Sequence, residues 1–140
     1  MSAKDFYHEP FARALLKDGW TITHDPLTIP FDGTDLFVDI GAERLIGAER
    51  DGERIAVEIK SFIRPSPVQD LKEAIGQYIL YSDIMAEAPD DADRTLYLAV
   101  REETQRIVFS KEQTQRLLRN RNIRLIVFNP NTEEITQWIS

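Results

Sequence analysis

Two residues near the middle of the chain constrain it most. Asp51-Gly52 separates two runs of β-prone residues, Leu45 to Arg50 and Glu53 to Phe62. A two-residue link closes a tight hairpin, because its turn needs positive φ and Gly accepts that without steric cost. In the second arm Ile55, Val57 and Ile59 alternate with Ala56, Glu58 and Lys60, so one face is apolar and Glu58 and Lys60 share the other. An antiparallel pair is thereby set at the centre, and the remaining elements must be added around it.

On either side of the hairpin the pattern changes period. The opening segment reads as a helix: Asp5 is placed to cap it, Phe6, Phe11, Ala14 and Leu15 form an apolar stripe through Lys17, and Gly19 supplies the stop. Trp20 to His24 alternates as a strand, Asp25-Pro26 interrupts it, and Leu27 to Ile29 resumes it. Leu36 to Ile40 is a short extended run. Pro65 and Pro67 end the second hairpin arm. A long helix is predicted from Val68 to Met85, with Leu71, Ile75, Tyr78, Ile79 and Ile84 as its apolar positions. Ala86 to Asp93 is acidic, small and proline-containing, and reads as a solvent loop. Thr95 to Val100 is a continuous apolar run, the mark of a strand buried on both faces. Ser110 begins a further helix, with Gln113 at capping-box spacing. Ile123 to Phe128 reads as another buried strand, and Asn129 to Thr132 turns it into Ile135 to Ile139, an edge strand.

Helices interleaved with buried strands argue an α/β fold with a mixed sheet flanked by helices. The early strands read as antiparallel, and the strand at 95–100 is joined to them through a helix, as a parallel crossover requires. The 140 residues suit a single domain, 1–140. With no cysteine there are no disulfides, thiolate metal sites or cysteine nucleophile, which fits a reducing compartment. No apolar run approaches the ~20 residues of a membrane helix, so a soluble, cytoplasmic protein is expected. Seventeen Lys and Arg against twenty-four Asp and Glu give a net charge of −7. That field repels nucleic acid at long range, so any action on DNA needs a local basic patch or a metal.

Chemistry concentrates between Asp39 and Tyr81. Glu58 and Lys60 lie about 7 Å apart on one strand face. A second carboxylate nearby would let two acids hold a divalent cation through oxygen ligands, with Lys60 orienting or deprotonating a water. Asp39 precedes Glu58 by one turn and one hairpin and could return to the same sheet end. Gln77 and Tyr81, at i, i+4, share a helix face. Each feature also has an ordinary reading. Glu and Lys two apart on a surface strand are often a solvated pair worth little. Asp39 before Gly41 suits a strand end, Glu9 complements a helix dipole, and Tyr81 suits an amphipathic core position.

The arrangement Asp39…Glu58-x-Lys60, on a hairpin followed by a helix, resembles the PD-(D/E)XK nuclease superfamily, whose core is the restriction-endonuclease-like α-β-β-β-α-β fold. Gln77-x-x-x-Tyr81 resembles the extra motif of the RecB-type branch. His8-Glu9 resembles the N-terminal helix glutamate that archaeal Holliday-junction resolvases use near the metal. A more specific resemblance covers nearly the whole chain: FYHEPFARALLKDGWTITHDPLTI, GAERLIGAERDGERIAVEIKSF, GQYILY, LYLAV and RLIVFNPNTEEITQWI are similar to the XisH family, the fdxN-element excision controlling factors of cyanobacteria. The resemblance implies work with a site-specific recombinase and a companion, XisI, in excising a DNA element. The superfamily pattern implies Asp39, Glu58 and Glu9 as ligands of Mg²⁺, with Mn²⁺ as substitute. It implies Lys60 as the group that positions water, and Gln77 as support for Lys60 or the DNA backbone, beside Tyr81. The first ligand departs from that pattern: the usual position falls near Glu43, so either Asp39 reaches the site through a longer arm or Glu43 replaces it.

One basic stretch stands out in the acidic chain. Arg106, Lys111, Arg116, Arg119, Arg121 and Arg124 are accompanied by one acid, Glu112. Arg116, Arg119 and Arg121 are the candidate phosphate contacts, against the plainer reading of a solvated helix face. Two roles follow: a Mg²⁺-dependent endodeoxyribonuclease, for which a homodimer would suit the cutting of two strands, or an inactive regulatory protein on the same fold that binds a companion or recombinase.

Overall fold

A computed structural model describes residues 6–31, 34–35, 45–63 and 65–140. The Asp51-Gly52 hairpin forms as expected: β4 (Leu45–Arg50) pairs antiparallel with β5 (Glu53–Ile59), and both turn residues have positive φ, 53° and 83°. That is the backbone twist a two-residue hairpin requires. β1 (Thr21–Leu27) pairs antiparallel with β4. On the other side β5 pairs parallel with β6 (Thr95–Arg101), β6 parallel with β7 (Leu125–Asn129), and β7 antiparallel with β8 (Glu134–Ile139). The result is a six-stranded mixed sheet of order β1-β4-β5-β6-β7-β8, with β8 at an edge as the sequence predicts. Among the described residues the short strands β2 (Pro30–Phe31) and β3 (Thr34–Asp35) pair only with each other.

Helices cover both faces. α1 (His8–Lys17) buries Phe11 and Leu15 against Ile46, Val57, Ile59, Ala99 and Phe128. α2 (Pro67–Glu87) covers the opposite face with Ala74, Tyr78, Tyr81 and Met85, joined there by Phe109 and by Leu118 of α3 (Glu112–Asn120). α1 is tied to the β7–β8 turn, where Lys17 Nζ donates to Thr132 O at 2.6 Å and Arg13 Nε to Glu133 Oε2 at 2.7 Å. Asn129 Oδ1 closes that turn by accepting from the backbone N–H of Asn131 and Thr132. Among the described residues no helix is long and apolar enough to cross a membrane.

Several local expectations change. α1 starts at His8 behind Tyr7, which makes no side-chain cap; Asp5 lies outside the described residues, and Phe6 is exposed rather than part of the buried stripe. β1 runs through Asp25-Pro26, whose peptide is cis, rather than stopping there. An edge strand tolerates a Pro that lacks its N–H, and shifts of register on either side of His24 absorb the irregularity. In α2 the buried stripe is Asp70, Ala74, Tyr78, Tyr81 and Met85, while Leu71, Ile75 and Ile84 are half-buried and Ile79 is exposed. The Ser110 cap does not form: α3 starts behind Lys111, and Ser110 Oγ donates back to Arg106 O. Before it lies a helical segment the sequence did not signal, Glu102–Thr104 continuing into a π-helical turn at Gln105–Phe109 that buries Phe109.

The acidic link after α2 is held rather than loose. Arg94, with a side chain 1% exposed, donates from Nε to Asp91 Oδ1 (2.8 Å) and from Nη1 to Ile55 O (2.9 Å). Its guanidinium fills the space beside Gly47, where a Cβ would lie 3.2 Å from Nη1. Arg54 donates to Asp90 O at 3.0 Å and pairs with the Asp93 carboxylate.

Candidate functional site

Glu58 and Lys60 sit where β5 leaves the sheet. Glu58 is opposite Leu45 on one side and Leu98 on the other, and Lys60 N donates to Ala99 O at 3.0 Å. Val57 and Ile59 pack toward α1, so the alternation turns Glu58 and Lys60 toward α2. Neither lies on an open surface: Glu58 is 0% exposed and Lys60 8%. The reading of this pair as solvated is therefore corrected. The face opposite the apolar one is covered as well, because β5 is an inner strand with α2 across it.

α2 supplies the other groups. Ser66 caps it by accepting from Gln69 N at 3.2 Å, and Pro67 takes a first-turn position where its missing N–H costs nothing. The next turns place Asp70, Glu73, Gln77 and Tyr81 along one stripe at i, i+3, i+7 and i+11. Glu73 Oε2 lies 3.3 Å from Lys60 Nζ. Asp70 is 2% exposed and Tyr81 fully buried. Gln77 Oε1 is buried and has no hydrogen-bond partner among the described residues. Where β5 ends, Phe62 adopts a φ of 53°, and Arg101 Nη2 donates to Ser61 O at 2.8 Å while its guanidinium stacks 4.4 Å from the Tyr7 ring centre.

Sequence reasoning missed Asp70 and Glu73. The signal was present in the spacing that joins them to Gln77 and Tyr81, but acids were not counted as members of an inward stripe. Charge in this position affects the neighbourhood. The Tyr78 hydroxyl, which donates to Leu96 O at 2.8 Å, is pushed above the usual tyrosine range chiefly by burial. Its hydrogen bond from Arg124 works against that rise, and the Glu58 carboxylate adds to it.

The other predicted site residues are placed elsewhere. Asp39 and Glu43 lie outside the described residues. Glu9 is exposed, 3.9 Å from Arg13, on the helix that covers the opposite face of the sheet from Glu58. His8 is buried, with Nε2 2.8 Å from Asp25 Oδ2. Arg116, Arg119 and Arg121 are exposed at α3 and its end, with Arg116 paired to Glu112 at 3.1 Å.

The family model described as XisH protein matches residues 1–136. The chain belongs to the XisH family. Two solved structures agree with that membership over nearly their whole length. An XisH family protein from Nostoc punctiforme PCC 73102 is 37% identical, with a TM-score of 0.85, covering 96% of this chain and 98% of its own. A fdxN element excision controlling factor protein from Anabaena variabilis is 38% identical, with a TM-score of 0.86, covering 97% and 99%. None of the curated proteins matches the chain.

For this XisH-family chain the remaining question is whether its residues suit Mg²⁺ or Mn²⁺. In kind they do: hard cations take carboxylate oxygens, and Glu58 is a fully buried carboxylate. In number the described residues fall short, since no group of three or more His, Asp or Glu among them is placed to hold a metal ion. A complete ligand set would have to draw on Asp39 or Glu43.

Proposed function

We propose that this XisH-family protein is a controlling factor for site-specific excision of a DNA element, acting on DNA through an endonuclease-type site centred on Glu58 and Lys60. The likeness to the fdxN element excision controlling factor protein from Anabaena variabilis supports the first part. One observation carries the second: Glu58 and Lys60, two positions apart at the end of β5, are both buried beneath α2, at 0% and 8% exposure. Buried charged groups rarely repay their desolvation in stability, so a chemical use accounts for these two better than folding does.

In this reading Glu58 and Asp39 would hold Mg²⁺ or Mn²⁺, which would supply Lewis-acid stabilisation of charge on a phosphate oxygen. Lys60, steadied by Glu73, holds the attacking water and keeps a positive charge at the scissile phosphate. Gln77 offers a buried amide oxygen to the same region, and Arg116, Arg119 and Arg121 contact the flanking phosphates. The test is cleavage of duplex and branched DNA with Mn²⁺ or Mg²⁺, using Lys60→Met and Glu58→Gln, which keep the buried volume. Both variants should lose about 100-fold or more in rate with the thermal melt retained. Wild-type protein that cuts neither substrate, or a Lys60→Met variant that cuts normally, overturns this reading.

A second reading draws on the closure of the site, where Lys60 is already engaged by Glu73 and nearly shielded from solvent. Here the protein regulates excision by binding an XisI-like companion or a recombinase, without chemistry. It is distinguished by wild-type protein that binds the companion, cuts no DNA, and binds equally well after both substitutions.

A further inference from the structure

α2 carries a second face, turned away from the sheet. Gln69, Lys72, Gly76, Ile79, Asp83 and Ala86 are all exposed, and they recur at alternating steps of three and four. That is the spacing of the contact seam between two helices. Gly76 lies at its centre. A glycine in the middle of a helix weakens it relative to alanine, and close approach of another backbone is the usual compensation. Among the described residues nothing uses the space: a Cβ at Gly76 would meet no heavy atom of theirs within 4 Å. Ile79, one turn on, is 37% exposed. Among the described residues neither Lys72 nor Asp83 has an ion-pair partner within the chain.

We propose that this face is the contact between two copies of the chain, with α2 antiparallel to α2 of the partner subunit about a two-fold axis. The order of residues is complementary to its own reverse. In one register Gly76 faces the partner's Ile79 and Ile79 the partner's Gly76. Lys72 then faces the partner's Asp83, and Asp83 the partner's Lys72, while Gln69 meets the partner's Ala86. The axis passes between Gln77 and Tyr78, midway along the seam. Each isoleucine fills the space left by the missing Cβ, and the two charges left without partners in one copy find them in the other. A self-complementary patch of this kind is what a two-fold contact demands, because both copies present the same surface. The absence of a side chain at Gly76 lets the helix axes approach to the short end of the usual ~8–10 Å.

The test is the molar mass of the whole protein by sedimentation equilibrium across a concentration series. Wild type should show a reversible shift from one to two chain masses. Lys72→Asp alone and Asp83→Lys alone set like charges opposite each other and should each weaken association roughly tenfold or more. The double exchange Lys72→Asp/Asp83→Lys should restore it. Gly76→Leu separates assembly from folding: it has room within one copy and should raise the melting temperature of the monomer while abolishing the dimer. A wild-type chain that stays monomeric throughout leaves this face to some other protein and overturns the proposal. So does a dimer indifferent to Gly76→Leu, or one that the double exchange fails to recover.

Discussion

The two faces of β5 are equally dry and chemically opposite. Toward α1 the strand presents Ile55, Val57 and Ile59, and toward α2 it presents Ala56, Glu58 and Lys60, none of them more than 8% exposed. On the α1 side, burial and side-chain chemistry agree, and the residues need no explanation beyond the apolar area removed from water. On the α2 side they disagree. A carboxylate and an ammonium occupy positions that two aliphatic side chains would fill at lower cost in desolvation. The comparison separates what holds this sheet together from what it is used for, and substitutions on the two faces should behave differently.

The largest effect belongs to the apolar face. Ile55→Ala empties a fully buried position and should cost about 2–5 kcal/mol in urea unfolding; a loss below about 1 kcal/mol would mean that the face is loosely packed. On the other face Glu58→Leu with Lys60→Met removes both buried charges, and Glu73, which loses its contact with Lys60, is 36% exposed and can be hydrated. Stability should hold or rise by about 1–4 kcal/mol, while excision in a reconstituted system is lost. A clear drop in stability would show that these two charges hold the fold, and the contrast between the faces would collapse.

A smaller effect reads both faces in one titration. Tyr78 toward α2 and Tyr97 toward α1 both have hydroxyls pushed up, in each case chiefly by burial. The folded state therefore keeps protons that the unfolded chain releases above its ordinary value of 10.0. Their contribution is complete below pH 10 and is lost as pH rises through the folded values, with a slope of up to about 1.4 kcal/mol per pH unit for each extra proton held. Urea midpoints should thus fall with rising pH in this range. Tyr97→Phe should remove one part of the slope and Tyr78→Phe the other; an unchanged slope in both variants would assign the alkaline transition to other groups.

Much of the fold was legible because the strongest signals are local. The Asp51-Gly52 turn, the alternation in β5 and the apolar runs that became β6 and β7 each depend on a few neighbouring residues. What was illegible depends on covering. Alternation in β5 suggested one open face, and only the distant pairing with β6 and the position of α2 close it. The same reason hid the inward stripe of α2. Of the apolar positions Leu71, Ile75, Tyr78, Ile79 and Ile84, only Tyr78 is fully turned to the sheet, where Asp70, Ala74, Tyr81 and Met85 join it. Of the candidate site, the sequence singles out Glu58, Lys60, Gln77 and Tyr81, which strand and helix periodicity place on the facing sides of two elements. Glu73, paired with Lys60 across thirteen residues, was invisible to periodicity within either element.

The link between α2 and β6 has the composition of a permissive stretch, AEAPDDAD, yet Arg54 and Arg94 pin its backbone and carboxylates to β5, and Asp91 is buried. Tolerance of insertion follows backbone burial and hydrogen bonding rather than composition. This crossover is therefore a poor place for a tag, a circular-permutation cut or a protease, and its length is fixed by two arginines that lie outside the loop or at its very end.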